Sequence, residues 1–83
     1  MTTEMVVKKF LDRRPGHGRS VATDGQYLLS YGVRVAEWTP RDVVVVSPVY
    51  YSKTTSAHVG LVCRLAASDG RLVVIGDVDQ TQN

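Results

Sequence analysis

Only one stretch of this 83-residue chain carries a convincing helical stripe, and most of what precedes it is punctuated like short strands. His58, Leu61, Val62, Leu65 and Ala66 recur at the spacing of a single helical face, with Gly60, Arg64 and Ala67 opposite. Thr54, Thr55 or Ser56 can accept from the free N–H groups at its start, and Gly70 stands where a left-handed terminating residue belongs. Val59, Gly60 and Val62 are weak helix formers, so packing must hold this helix, expected over about 54–68, in place.

Residues 21–23 and 26–30 read as a hairpin, because Asp24-Gly25 between them supplies the positive φ of a tight turn. Tyr31-Gly32 opens a second turn, and 33–38 makes a third strand with Arg34 and Glu37 facing outward in imperfect alternation. Thr39-Pro40-Arg41-Asp42 is a turn, and the four valines at 43–46 predict a central strand covered on both faces. Pro48 then ends or bulges the ladder. Residues 71–75 give a last strand and 77–83 a frayed tail. Residues 4–11 fit either a strand or one to two helical turns, and 12–19 read as a loop broken by Pro15, Gly16 and Gly18. The expected fold is α+β: a small, mostly antiparallel sheet of four to five strands with one main helix packed on one face. A helix between the last two strands allows them to run parallel, although the connection is short for a full crossover.

A chain this short makes one domain, 1–83, with a single core, and self-association into a homo-oligomer stays open. Hydrophobic residues at 43% exclude a disordered chain. Met5, Val6 and Val7 run straight into Lys8 and Lys9, unlike a signal peptide, and no stretch approaches the roughly 20 apolar residues of a membrane span, so no membrane partner is expected. Cys63 stands alone, without a second thiol for a disulfide or a metal. These signs point to the cytoplasm.

Net charge is +2, concentrated at one end. Lys8, Lys9, Arg13, Arg14 and Arg19 against Glu4 and Asp12 make 1–19 a basic arm, read as flexible, that would touch DNA or RNA phosphates or an acidic protein, or simply lie solvated.

The chemistry-bearing cluster is Ser52, Lys53, Thr54, Thr55, Ser56 and His58. Hydroxyls, an ammonium and free N–H groups converge where the helix dipole favours an anion or a partner's negative group. Capping alone accounts for two of the four hydroxyls, and no Gly-rich phosphate loop accompanies them. His58 lies at the centre of the apolar stripe, which predicts a neutral ring bonded inward rather than a catalytic one. His17 with His58 is the only pair resembling a two-His ribonuclease, and His17 sits in a Pro/Gly loop. No triad or metal-ligand spacing is present, so no catalytic residue, metal or cofactor is expected. Tyr27, Tyr31, Tyr50, Tyr51 and Trp38 either fill a core or offer a surface for stacking bases.

Ser30-Tyr31-Gly32-Val33-Arg34-Val35-Ala36 and Tyr51-Ser52-Lys53-Thr54-Thr55-Ser56-Ala57-His58 together resemble a pattern of small bacteriophage and mobile-element proteins of unknown function. Ala57 stands where that pattern has a basic residue, and Val33 where it has Thr. The resemblance is to a domain of unknown function with no established catalytic residues or cofactor. With no catalytic constellation in the chain, the expectation is a non-enzymatic accessory protein that binds a host or phage macromolecule. The alternative is a nucleic-acid-binding module using the basic arm and the helix start at Lys53 to Ser56.

Overall fold

Thr2 decides the first element. Its side chain accepts from the Met5 N–H at 3.2 Å and opens a helix, α1 (Thr3–Leu11). Val6, Val7, Phe10 and Leu11 then fall on one face and are buried, which settles the ambiguity of 4–11 in favour of helix. The computed structural model describes residues 1–48 and 52–78. After α1 the chain runs through β1 (Pro15–His17), β2 (Val21–Asp24), β3 (Tyr27–Ser30), β4 (Val33–Trp38) and β5 (Val44–Val46). It then forms α2 (Lys53–Ser68) and β6 (Val73–Ile75). No helix among the described residues is long and apolar enough to cross a membrane.

The fold is α+β, with six strands in the order β1-β2-β3-β4-β5-β6 and two helices, against the four to five strands and one main helix expected. The two additional elements both lie in the basic N-terminal stretch. Read from its charges as an arm, that stretch is built into the fold as α1 and β1. β1 carries no strand signal of its own, because Pro15 and Gly16 are loop residues by composition. At the start of an edge strand, however, the missing Pro15 N–H breaks no ladder bond. Four pairings are antiparallel, and β5–β6 is parallel, bridged by α2.

The register defines two faces. Val21, Leu28, Ala36, Trp38, Val44 and Val46 turn one way and join the α1 face and Val62 and Ala66 of α2 in a single core. Burying that cluster is the main stabilising term. The irregular alternation of β4 is a bulge: Ala36 opposes Leu28 and Arg34 opposes Leu29, leaving Val35 as the extra residue, also fully buried. The valine run behaves differently from its reading. β5 is inside the sheet but next to last, and Val45 is only half-buried because no described element covers that face.

Two devices fix the helices and turns to this frame. Trp38 Nε1 donates to the Phe10 carbonyl at 2.7 Å, their rings lie 6.0 Å apart, and the Arg13 guanidinium lies 4.3 Å over the indole while pairing with Asp42. In the first hairpin the Asp24 carboxylate accepts from the Gln26 and Tyr27 N–H groups, so the turn residues are Gly25-Gln26, one later than expected. Gly25 has φ 97°, and a Cβ there would lie 2.8 Å from the Arg13 carbonyl oxygen. Only glycine fits.

Candidate functional site

Tyr31 and Gly32 both occupy the left-handed region, at φ 52° and 81°, which closes β3 and β4 in the two-residue turn whose twist matches the strands. Glycine takes this without cost, but tyrosine does not. The turn sets the Tyr31 ring, 63% exposed, against the His58 imidazole with centroids 6.4 Å apart and planes 28° from parallel.

The preceding residue, Ser30, faces the other way, into the protein. Its Oγ lies 2.9 Å from Thr55 Oγ1 and 2.7 Å from His58 Nδ1. Ser52 is the N-cap of α2: its Oγ accepts from the Thr55 N–H and donates to Thr55 Oγ1, both at 3.1 Å. One direction of proton donation satisfies every hydroxyl, running from Ser52 to Thr55 to Ser30 to His58 Nδ1. The ring is then neutral with its proton on Nε2. Burial pushes the His58 pKa below its ordinary value, in agreement with that assignment.

The six residues singled out at the helix start therefore divide. Ser52, Thr55 and His58 form the relay, joined by Ser30, which composition and helix signals do not mark. Lys53, Thr54 and Ser56 are exposed. Thr54 borders an open hollow of about 410 Å³ with Ser30, Tyr31 and Val33, whereas Ser56 borders a groove on the side of β6 with Pro48 and Ile75. Lys53 borders neither. The segments 30–36 and 51–58, on which the resemblance rests, meet at this relay. Their own adjacency in the pattern was the one available pointer to Ser30.

The arrangement has the Ser–His contact of a nucleophile and base, but the setting is that of a strut. Ser30, Thr55 and His58 are 1%, 4% and 5% exposed, and Ser30 Oγ already serves two partners. Among the described residues no carboxylate orients the imidazole. His17 shares the opposite sheet face with Ala22, so the two histidines do not come together.

The basic residues are also divided. Lys8 approaches Glu4 at 3.9 Å, Arg13 is held by Asp42 and Trp38, and the Lys9 stem lies against Gly16. Arg14 and Arg19 are exposed. Of the aromatic residues, Trp38 is core, Tyr27 lies half-buried on the open face under the Arg34 guanidinium, and Tyr50 and Tyr51 fall outside the described residues.

Over residues 2–75 the chain matches a family described as a family of unknown function, DUF8033. No curated protein and no solved structure matches it.

Proposed function

We propose, on the premise that this chain belongs to the family of unknown function DUF8033, that it is a non-enzymatic binding protein offering the open face of its sheet to a protein partner. One observation carries the reading. Both helices pack into the same core on one side of the sheet, and no described element covers the other. That face presents Tyr27, Leu29 and Val45 half-buried and Val74 41% exposed. At one end it holds an open hollow of about 440 Å³ lined by Thr39, Pro40, Arg41, Val43, Val45 and Val74. Aromatic and aliphatic side chains interleaved with Arg34 and Glu37 on one uncovered face suit a protein interface. The burial of the Ser30–His58 pair supports a structural role for the one catalysis-like contact among the described residues. The likeness of 30–36 and 51–58 to phage and mobile-element proteins supports an accessory role in the cytoplasm of a bacterium carrying such an element, with a host or phage protein as partner.

The test compares capture from bacterial lysate by the wild type and by Leu29→Glu and Val45→Lys. These place new charges opposite Arg34 and Glu37, as opposite-charge cross-strand pairs that spare the fold. A specific protein retained by the wild type and lost by both variants is expected. Capture that both variants leave intact would overturn the assignment of this face.

A second reading, nucleic-acid binding, draws on the Arg34 guanidinium lying 4.1 Å over the Tyr27 ring on that same face, a pairing suited to stacking against a base. It predicts a mobility shift that weakens steeply with salt. No shift at low salt would remove it.

A further inference from the structure

We propose that β6 pairs antiparallel with β6 of a second copy of this chain, about a two-fold axis at Val74, so that two six-stranded sheets become one. This is independent of the partner reading above, which concerns a face and not an edge.

Among the described residues β6 is hydrogen-bonded on one side only. Val44 N donates to the Leu72 carbonyl at 3.1 Å and Gly76 N to the Val46 carbonyl at 3.0 Å. The even-numbered residues therefore turn their backbone groups toward β5, and strand alternation turns those of Val73 and Ile75 outward, while the Arg71 N–H donates at 2.8 Å to the Ala66 carbonyl at the end of α2. The edge carries no lysine, proline or bulge of the kind that natural sheets use against pairing. It also leaves Leu72 62% and Ile75 75% exposed.

The sequence of this edge is self-complementary. With Val74 facing its own copy, Val73 faces Ile75 of the partner subunit and Arg71 faces Asp77 of the partner subunit, twice by symmetry. Val73 and Ile75 are the strand residues whose backbone groups point outward, so the ladder bonds they form and the flanking charge pairs fall in one register. A shift of one residue sets outward groups against inward ones. A shift of two either puts Arg71 opposite an isoleucine or puts Asp77 opposite a valine. A parallel arrangement in register would set arginine against arginine. Ile75 lies on the helix side, beside a groove formed with Val46, Pro48, Val59 and Cys63, so Val73 of the partner subunit extends that apolar surface across the axis. Charge, apolar pairing and backbone parity select the same occupant.

Sedimentation equilibrium on the full chain tests this, with urea unfolding as a check that each variant is folded. The wild type is expected to dimerise within the concentration range up to the order of 100 µM. Arg71→Asp and Asp77→Arg, each opposing like charges across the axis, are expected to weaken the dimer by about tenfold or more. The double exchange Arg71→Asp with Asp77→Arg is expected to restore it. Val74→Lys, which brings two ammonium groups together on the axis, is expected to give a monomer. A wild type that stays monomeric overturns the proposal, as does a dimer indifferent to Val74→Lys or a double exchange no tighter than the single ones.

Discussion

Ser30 and His58 stand 28 residues apart in the chain and meet with Oγ 2.7 Å from Nδ1 inside the protein. This contact, with Thr55 beside it, bolts the β3–β4 turn to the first turns of α2. Weak helix formers occupy much of α2, so a buried polar anchor at its leading end supplies what propensity withholds.

Ser30→Ala removes the shared partner of Thr55 Oγ1 and His58 Nδ1 and leaves both buried without it. A loss of about 1–3 kcal/mol is expected in urea unfolding. Because the three side chains act as one unit, Ser30→Ala and Thr55→Ala combined should cost clearly less than their sum. Strict additivity would show that the relay is not coupled.

The same network sets a pH dependence. Burial lowers the folded His58 pKa below the ordinary 6.5, so the unfolded chain binds the proton more readily. The stability tied to the neutral ring is therefore complete above about pH 6.5 and drains away as pH falls from there through the folded value. Among the described residues the other shifted group is Asp24. Burial acts to raise its pKa, but the Tyr27 and Gln26 N–H groups and Arg34 outweigh burial and lower it from 3.8, so it titrates outside this window. Urea midpoints should drop between pH 7 and pH 5 in the wild type and much less in His58→Asn. An equal drop in both would assign the effect elsewhere.

Trp38→Phe keeps most of the core volume but deletes the donor to the Phe10 carbonyl and the indole face under Arg13. A loss of about 1–3 kcal/mol is expected, with α1 amide exchange accelerating most. Asp42→Asn removes the charge of the exposed pair with Arg13 while keeping a side chain suited to the positive φ of 62°, and should cost less than about 1 kcal/mol. Reversal of that order would mean that the ion pair, not the indole, fastens the end of α1.

Two glycines should respond with opposite sign to alanine. At Gly25 the positive φ and the Arg13 carbonyl oxygen, 2.8 Å from a built Cβ, forbid a side chain, and a loss above about 1 kcal/mol is expected. Gly60 lies mid-helix with nothing within 4 Å of its Cβ position, so Gly60→Ala should raise stability by about 0.5–1 kcal/mol. Thermal melts of both variants decide it.

What the chain announced and what it concealed follow from range. The stripe at His58, Leu61, Val62, Leu65 and Ala66, the cap at Ser52 to Ser56 and the turn glycines are local signals, and α2, β2, β3 and β4 stand close to where those signals put them. β1 is three residues of Pro-Gly-His whose only reason to be extended is the neighbouring β2, a tertiary cause invisible in propensity. The buried partner of His58 was invisible for the same reason: Ser30 is an unremarkable strand serine until the fold carries α2 back over the β3–β4 turn.

The parallel β5–β6 pair imposes an order on assembly. In synthesis from the N-terminus, β5 has its antiparallel neighbour β4 early, but its other edge, Val44–Val46, waits for α2 and then β6. Throughout that interval a valine ladder faces water with no strand beside it. Closing the crossover is thus also what withdraws the nascent chain's stickiest backbone from competing contacts.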